Sequence, residues 1–367
     1  MPEFSIKRIA YYVSAHGYGH AARSATVMAQ LQGAYTLHVK SEIPAAFFLK
    51  RAGPVNVHRQ AVDAGCTQTN FIEVDAVRSF QNLARFYRTP TARIEKESRW
   101  LKDHRIDLVI ADAPSTPLKA AADLGLPAFL AANFTWHEIY SNLPGADRYR
   151  DLLEILLAEY RSASLQFLPQ CHLAKGVARR QQEVGWISPR GQCVRRRLTA
   201  ARPALGKAET LVFLYLGDND ASMIDWNRLA GSTECAFITR DRLPRAALRD
   251  PFHVLDETFD YPDLVASCDL VVTKGGYSTL ALAFTHGKPV ITCERLDFKE
   301  FDAVRDYFAA HGVGLVLDRD RFLAGDWGPS IKKAQEISVI GKVPVHGEQA
   351  IREAVDQALA PHPTPTE

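Results

Sequence analysis

Ile9-Ala-Tyr-Tyr-Val-Ser-Ala-His-Gly-Tyr-Gly-His-Ala-Ala-Arg23 joins a short apolar run to a glycine-rich turn with two histidines, and an Ala-rich helical pattern follows at once. This order predicts a strand, a ligand loop and a helix N-terminus. In open α/β sheets, ligands bind beyond the carboxyl ends of the strands, and free N–H groups at a helix start attract anions. An imidazole titrates near neutral pH, so His16 or His20 is a candidate base for a hydroxyl group. We interpret this loop as half of an active site.

Length and composition are those of a globular protein with two domains. The chain has 367 residues, of which 47% are hydrophobic and 23% charged, and a domain typically takes roughly 100–200 residues. The formal net charge of +2 gives no reason to expect a nucleic-acid partner. The sequence has no apolar run long enough for a transmembrane segment and no signal-peptide layout at its start, so we expect a cytoplasmic protein. Peripheral membrane contact and the oligomeric state are left open.

The six cysteines are widely spaced and form no C-x-x-C pair, which disfavours a zinc site or a disulfide framework. We expect them to be reduced, as in a cytosolic protein. They are Cys66, Cys171, Cys193, Cys235, Cys268 and Cys293.

Short apolar runs alternate with helical patterns in two parts of the chain, which predicts mostly parallel sheets. The predicted strands are Ile9–Val13, Thr36–Val39, Asn56–His58, Leu108–Ala111, Ala128–Ala131, Leu165–Leu168, Thr210–Leu216, Ala236–Thr239, His253–Leu255, Leu270–Thr273, Pro289–Thr292 and Gly314–Val316. The main predicted helices are Ala21–Gln32, Ala76–Asp103 with a break at Pro90, Thr116–Leu124, Asp151–Ser162, Tyr277–Phe284 and Phe301–His311.

The alternation stops after Gly185 at a basic and proline-containing stretch and restarts at Thr210. We place a first Rossmann-like domain at 1–190, a linker at 191–206 and a second Rossmann-like domain at 207–345. A C-terminal helix and a disordered tail would occupy 346–367. Two such units would leave a cleft between them, where small molecules often bind.

A second informative stretch is Leu270-Val-Val-Thr-Lys-Gly-Gly-Tyr-Ser-Thr279. It predicts a buried strand, two glycines that let the backbone approach a ligand, and a helix start whose amides suit a diphosphate. Lys274 would add a positive charge. The alternative is an ordinary strand-to-helix turn, because Gly-Gly turns are common. After the next predicted strand, Glu294, Asp297, Glu300 and Asp302 could accept hydrogen bonds from sugar hydroxyls.

Four motifs together resemble the glycosyltransferase-like N-terminal part of plant L-arabinokinases and its stand-alone bacterial relatives. These motifs are Tyr11–Arg23, Ala111-Asp-Ala-Pro114 with Ala120–Gly125, Asn133–Tyr140 and Lys274–Thr279. The resemblance runs from about residue 7 to residue 310. The sugar-kinase domain of the arabinokinases is absent from this sequence, so we do not expect phosphorylation of a free sugar. More distantly, the chain resembles the GT-B glycosyltransferases.

The resemblance implies an α/β fold of GT-B architecture, with two Rossmann-like domains whose mostly parallel sheets face each other across a cleft. It implies a nucleotide-sugar bound mainly by the second domain and a small-molecule or glycan acceptor bound by the first. The implied reaction moves the sugar to an acceptor hydroxyl with inversion at the anomeric carbon. No cofactor and no metal are expected.

The resemblance also assigns roles to residues. His20 matches the histidine that closes the first loop of such transferases, and Asp112 matches the aspartate that orients it, while His16 is the alternative base. The expected acceptor side consists of Gly17, Tyr18, Gly19, Asn133 and Trp136. The expected donor side consists of Gly217, Lys274, Gly275, Gly276, Tyr277, Ser278, Thr279, Glu294, Glu300 and Asp302.

One position departs from the pattern. Most such transferases carry an acidic residue five positions before the glycine that closes the phosphate-side helix, and Leu282 stands there before Gly287. A non-catalytic sugar-nucleotide-binding or regulatory protein is therefore an alternative, as is a sugar-nucleotide epimerase on the same scaffold. A dehydrogenase would fit Gly17-x-Gly19-x-x-Ala22, but that single fingerprint does not explain the second half of the chain.

Overall fold

The structure is a computed structural model that describes residues 6–173, 176–217, 221–231, 234–295 and 298–360. The chain divides into two compact units, each built on a parallel sheet. The first unit comprises Met1–Cys66, Ala76–Ile187 and His346–Glu367, and the second comprises Thr67–Asp75 and Ser188–Val345. The main boundary falls at Ile187, close to the predicted end at residue 190. Residues 191–206, predicted as a linker, are grouped with the second unit.

Thirteen strands are present in the described residues. They are β1 (Arg8–Val13), β2 (Thr36–Ser41), β3 (Asn56–Arg59), β4 (Leu108–Asp112), β5 (Ala128–Ala131), β6 (Leu165–Pro169), β7 (Gln181–Val184), β8 (Thr210–Tyr215), β9 (Cys235–Thr239), β10 (Phe252–Val254), β11 (Leu270–Thr273), β12 (Val290–Cys293) and β13 (Gly314–Leu317). All the predicted strands are observed, with ends shifted by at most two residues. β7 was not predicted, because its sequence Gln-Gln-Glu-Val is polar.

Fifteen α-helices connect and flank these strands in the part of the chain that is described. They are α1 (Tyr18–Leu31), α2 (Ala45–Ala52), α3 (Ala76–Phe86), α4 (Pro90–Asp103), α5 (Thr116–Asp123), α6 (Trp136–Ser141), α7 (Arg150–Tyr160), α8 (Arg195–Ala201), α9 (Trp226–Ala230), α10 (Tyr261–Ser267), α11 (Tyr277–Thr285), α12 (Glu300–His311), α13 (Arg319–Leu323), α14 (Gly328–Gln335) and α15 (Gly347–Leu359). The predicted break at Pro90 separates α3 from α4. None of these helices is long and apolar enough to cross a membrane.

The sheet of the first unit has the strand order β3-β2-β1-β4-β5-β6-β7, and its neighbouring strands are parallel. Its first six strands follow the doubly wound order 3-2-1-4-5-6. The order reverses between β1 and β4, where Val13 pairs with Asp112. Ligands of doubly wound sheets bind beyond the strand ends at such a switch point, which makes the β1–α1 and β4–α5 connections the expected ligand loops.

The sheet of the second unit repeats this order as β10-β9-β8-β11-β12-β13, again with parallel neighbours. Its switch point lies between β8 and β11, where Tyr215 pairs with Thr273. The Gly-Gly turn follows β11 directly. Both motifs singled out in the sequence therefore lie at the switch point of their own sheet.

Each unit has its own apolar core. The core of the first unit includes strand residues such as Tyr11 and Ile110, and Ile351 and Val355 of α15 pack into it. The core of the second unit is joined by Phe71 and Ile72, which come from the short segment 67–75. All six cysteines are free thiols.

Candidate functional site

His20 lies in the first turn of α1, because this helix begins at Tyr18, three residues before its predicted start. His20, Arg23 and Ser24 are spaced i, i+3 and i+4, so their side chains share one face of the helix. Asp112 ends β4 and pairs with Val13 across the sheet. The face of α1 that carries these three polar side chains is thereby held against the Asp112 carboxylate.

The Asp112 carboxylate is completely buried and fully engaged. His20 Nδ1 lies 2.8 Å from Asp112 Oδ1. Arg23 donates from Nε to Oδ2 at 2.9 Å and from Nη2 to Oδ1 at 2.5 Å. Ser24 Oγ donates to Oδ2 at 2.9 Å. Arg23 and Asp112 thus form a buried ion pair.

These contacts keep Asp112 ionised and favour one tautomer of His20, because Nδ1 lies closer to Asp112 Oδ1, at 2.8 Å, than to Arg23 Nη2, at 3.4 Å. Burial alone would raise the pKa of Asp112, but the positive charge of Arg23, the charge that His20 carries when protonated, and the hydrogen bonds of both outweigh it and lower that pKa to about 2. An ionised carboxylate beside Nδ1 favours the tautomer that carries its proton there. The Nε2 lone pair of His20 is then available to accept a proton.

His16 has the opposite arrangement. Its Nδ1 accepts a hydrogen bond from the backbone N–H of Cys66 at 3.3 Å, so a neutral His16 carries its proton on Nε2. Its ring meets Trp136 edge-on with centroids 5.2 Å apart. His16 is therefore set up to donate a hydrogen bond, whereas His20 is set up to accept a proton. Of the two candidate bases, this geometry favours His20.

The other predicted acceptor-side residues have different surroundings. Asn133 Oδ1 accepts from Arg23 Nη1 at 2.7 Å, so its amide supports the Asp112 cluster. Trp136 is buried beside His20, with ring centroids 6.3 Å apart. Tyr18 is exposed, and its ring lies against Phe47. Gly17 immediately precedes α1 with φ of 74°, and Gly19 lies in the first turn of that helix.

Sequence reasoning missed Asp63. Its carboxylate accepts a hydrogen bond from Trp136 Nε1 at 2.8 Å. Burial raises the pKa of Asp63, although the Trp136 hydrogen bond, a Ser14 hydrogen bond and the His20 charge oppose that effect. Asp63 and Trp136 are 73 positions apart in the chain, and no local pattern indicates their contact.

In the second unit, the turn after β11 brings the backbone close to the strand ends. Gly275 has φ of 84°, and a Cβ atom there would lie 2.8 Å from Thr292 Oγ1, so only glycine fits without strain. Gly276 precedes α11, whose first turn has no side-chain cap among the described residues. Uncapped N–H groups at a helix start can bind an anion. Thr279 is buried, and its hydroxyl meets Tyr261 Oη at 3.2 Å.

Lys274 is the cation at this turn. Burial and the nearby Arg295 lower the pKa of Lys274 to about 8, against the opposing effect of the Asp241 and Glu300 carboxylates. Arg295, which sequence reasoning did not select, is buried at 6% exposure, and its Nη2 has no hydrogen-bond partner among the described residues. Lys274 and Arg295 thus place two cations beside the start of α11, with the Asp241 and Glu300 carboxylates near Lys274.

Not all of the remaining donor-side candidates lie at the Gly-Gly turn. Glu300 begins α12 and acts electrostatically on Lys274. Asp302 is on the exposed side of α12, where it pairs with Lys299 at 2.7 Å and Arg305 at 3.2 Å. The structure thus engages Asp302 in surface ion pairs. Two further candidates, Tyr277 and Ser278, are the first residues of α11.

Gly217, Glu294 and Asp297 complete the predicted set. The Gly217 N–H donates to Asp241 Oδ2 at 2.9 Å, and this carboxylate also accepts from the Leu216 N–H. Glu294 follows β12 and is partly buried, and its backbone N–H bonds to β13 at Leu317. Asp297 lies outside the described residues. Within those residues, no group of three or more acidic, histidine or cysteine side chains could hold a metal ion.

The comparisons with known proteins agree with this architecture. No protein-family model matches the chain. The L-arabinokinase of Arabidopsis thaliana is 26% identical over 335 residues, which are 89% of this chain and 32% of the arabinokinase. The chain therefore spans about a third of that relative's length. The resemblance to the L-arabinokinase N-terminal part, inferred from the four motifs, is confirmed by this match.

Several solved glycosyltransferase structures share the fold. The calicheamicin glycosyltransferase CalG4 superposes with a TM-score of 0.63 at 15% identity, over 97% of this chain and 100% of the other. The spinosyn forosaminyltransferase SpnP gives a TM-score of 0.62 at 16% identity, over 98% and 97%. A UDP-glucosyltransferase from Polygonum tinctorium gives 0.60 at 15%, over 96% and 93%. The predicted GT-B fold is thus confirmed, and the chain is weakly similar in sequence to the L-arabinokinase N-terminal region.

Proposed function

We propose that the protein is a glycosyltransferase that moves a sugar from a nucleoside-diphosphate-sugar to an acceptor hydroxyl, with inversion and without a metal ion. The observation that carries the proposal is the His20–Asp112 pair at the switch point of the first sheet. The Gly-Gly turn at the switch point of the second sheet, with Lys274 beside it and the uncapped start of α11 after it, supports it. The proposal requires that a donor bound by the second unit reach His20 of the first.

In the proposed reaction, His20 Nε2 takes the proton of the acceptor hydroxyl while the oxygen attacks the anomeric carbon. The bond between that carbon and the diphosphate oxygen breaks, and the nucleoside diphosphate leaves with the electron pair. Attack on the face opposite the leaving group inverts the anomeric centre. Asp112 stays ionised and stabilises the imidazolium that forms. A general base of this kind typically contributes about 10²–10⁴-fold in rate.

The leaving diphosphate gains negative charge as the bond breaks. The N–H groups at the start of α11 and the Lys274 ammonium are suited to stabilise this charge. Gly275 and Gly276 let the diphosphate approach the backbone, because neither places a side chain over the turn. These groups supply positive charge from the protein itself, which is the basis for proposing a metal-independent reaction.

A non-catalytic sugar-nucleotide-binding protein is the second candidate, and Leu282 favours it. This side chain is 3% exposed within α11 and cannot accept hydrogen bonds from a ribose. In the transferase proposal, Glu294 or another carboxylate has to supply that contact. Both candidate proteins bind the nucleotide-sugar donor. Only the transferase turns it over.

A panel of uridine, thymidine, guanosine and adenosine diphosphate sugars tests the proposal. Thermal shift identifies the donor, because a ligand that binds only the folded state raises the apparent melting temperature. The bound donor is then incubated with the protein and cell extract, and nucleoside diphosphate release is measured. Release with an inverted product supports the transferase. Donor binding without release supports the binding protein, and epimerised donor without an acceptor supports the epimerase.

A further inference from the structure

A second cavity in the first unit carries unbalanced positive charge. It has a volume of about 350 Å³ and lies where the end of α3 meets the start of α4. Four of its lining residues are cations: Arg85, Arg88, Arg93 and Lys96. Arg85, Arg88 and Lys96 are exposed, and within the described part of the chain none of the three pairs with a carboxylate. This cavity is separate from the His20–Asp112 pair.

Helix geometry explains how the cations converge. Thr89, Ala92, Arg93 and Lys96 follow the spacing i, i+3, i+4 and i+7, which places them on one face of α4 from its N-cap onward. Arg85 and Arg88 come from the end of α3 and the turn that follows. The N-terminus of α4 therefore opens at the same place as four positive side chains, and both features attract an anion.

Arg93 is held in position at the wall of this cavity. Its Nε donates to the Phe86 carbonyl at 2.6 Å, and its guanidinium carbon lies 3.3 Å from the centre of the Phe86 ring. Stacking on an aromatic face fixes the plane of the guanidinium. The terminal nitrogens then form a prearranged fork, which matches two oxygens of a phosphate or carboxylate.

The one acidic residue in the lining does not cancel this charge. Glu97 accepts hydrogen bonds from Tyr12 Oη at 2.5 Å and from Lys40 Nζ. Lys40 is buried at 1% exposure, so it neutralises Glu97 from inside the protein. The Glu97–Lys40 pair has no net charge, and the exposed cations Arg85, Arg88 and Lys96 remain uncompensated, whereas Arg93 also interacts electrostatically with Glu159 and Glu97.

The cavity adjoins the candidate acceptor side of the first unit. Gln60, Ala61 and Val62 form part of its wall, and they directly precede Asp63. Asp63 binds Trp136 Nε1, and the Trp136 ring lies 6.3 Å from that of His20. Tyr12, also in the wall, precedes Val13, which pairs with Asp112. Short chain segments, together with these contacts, thus link the cavity wall to the proposed base.

We propose that this cavity is a phosphate site, occupied by the phosphate group of the acceptor or by a separate phosphorylated effector. The positive groups at this cavity are the guanidinium fork of Arg93, the ammonium of Lys96, two further arginines and a helix N-terminus. Together they suit a doubly charged phosphate better than a single carboxylate. Binding at this site does not depend on the proposed transfer reaction. The assignment of the phosphate to an acceptor does rest on the proposed transfer reaction.

Calorimetric titration of the full chain with inorganic phosphate and with glucose 6-phosphate tests the site. The double variant Arg88→Gln, Lys96→Gln removes two exposed cations and leaves Arg93 and the core intact. Arg99→Gln, Lys102→Gln removes two exposed cations of α4 that do not line the cavity. The original chain and the control should bind a phosphate compound saturably, and the first variant at least about tenfold more weakly.

Added salt should weaken binding to the original chain, because the outer cations are exposed to solvent. Absence of saturable binding by either compound overturns the proposal, and so does equal affinity in the two double variants. Neither result bears on nucleoside diphosphate release, so the transferase proposal is judged separately.

Turnover then distinguishes the two sources of phosphate. If the phosphate belongs to the acceptor, glucose 6-phosphate should stimulate nucleoside diphosphate release more than glucose does. The Arg88→Gln, Lys96→Gln variant should raise its KM and leave kcat little changed. If the phosphate belongs to an effector, inorganic phosphate should alter release with an unphosphorylated acceptor, and the same variant should abolish that effect.

Discussion

At the scale of single residues, Asp112 organises the candidate base. Its carboxylate receives His20, Arg23 and Ser24, which the helical spacing of α1 places on one face. His20 was predicted from the glycine-rich turn after the first apolar run, whereas Asp112 was predicted from the resemblance to known transferases. The sequence did not reveal Asp63 or Arg295, because their partners lie far away along the chain and only the folded backbone brings them together.

Replacing Asp112 by Asn should affect both catalysis and stability. The amide no longer fixes the His20 tautomer or balances its charge, so we expect kcat to fall by about 10²–10⁴-fold. Buried Arg23 loses its counter-charge, which should cost about 3–5 kcal/mol in the free energy of unfolding. Steady-state kinetics and urea unfolding measure the two effects.

Ser24→Ala is the matched control for Asp112→Asn. It removes one hydrogen bond to the same carboxylate, at about 1 kcal/mol, and leaves the His20 contact in place. Turnover should therefore persist in this variant. An Asp112→Asn protein as active as the original would rule out the orienting role of Asp112.

The lowered pKa of Lys274 predicts that donor binding depends on pH. This pKa of about 8 lies below the ordinary value, so the free protein loses this charge as the pH rises through 8. A bound diphosphate favours the protonated form, and nucleoside diphosphate affinity should weaken above about pH 8, by up to tenfold per pH unit. Titration calorimetry in buffers of different ionisation enthalpy should show proton uptake on binding.

The titration of Lys274 also makes the free energy of unfolding depend on pH. The pKa of Lys274 is lower in the folded chain than in the unfolded one, so the free energy of unfolding should rise as the pH goes from about 8 towards the unfolded value. Lys274→Gln serves as the control. Its nucleoside diphosphate affinity should be lower at pH 7 and should lack the decline above pH 8.

At the scale of elements, the alternation of apolar runs predicted the strands well, because buried parallel strands are nearly continuous apolar sequences. Prediction was weaker for segments that are polar, or whose structure depends on packing against residues distant in the chain. β7 has only one buried residue out of four. The stretch predicted as a linker contains α8, where Leu198 is buried. The Gly-Gly turn was recognised from its local sequence, but the contact of Gly275 with Thr292 was not.

The two glycines of this turn should respond differently to alanine. Gly275→Ala places a methyl group at positive φ and 2.8 Å from Thr292 Oγ1, which should cost about 1–3 kcal/mol in unfolding free energy. Gly276 is the N-cap of α11, with φ of −70° and open space around it, so Gly276→Ala should cost only the N-cap preference for glycine over alanine, less than about 1 kcal/mol. Urea unfolding of both variants measures the difference, and equal losses would contradict the described turn.

At the scale of the whole molecule, both sheets have the same doubly wound order and carry their candidate ligand loops at the same topological position. The alternation of elements predicted two units with mostly parallel sheets, and the resemblance carried by four motifs implied the GT-B architecture. Each of the two units is made of segments that are separate along the chain. Segment 67–75 joins the second unit and α15 joins the first, because burial of Phe71 and Ile351 decides membership rather than order along the chain.

Phe71→Ala tests the placement of segment 67–75. Phe71 is fully buried in the core of the second unit, and its truncation should destabilise that unit by about 3–5 kcal/mol. Hydrogen exchange should accelerate in peptides of β12 and β13 more than in those of β1 and β4. Val77→Ala, at a position 68% exposed, is the control. Faster exchange confined to the first unit would contradict the placement.

The most direct test of the central claim is the single-turnover rate of nucleoside diphosphate release by His20→Ala with donor saturating. We predict a rate about 10²–10⁴-fold lower than that of the original chain, with donor affinity unchanged because the proposal places the donor on the second unit. An unaltered rate, or a loss of donor affinity equal to the loss of rate, would contradict the role of His20 as the base.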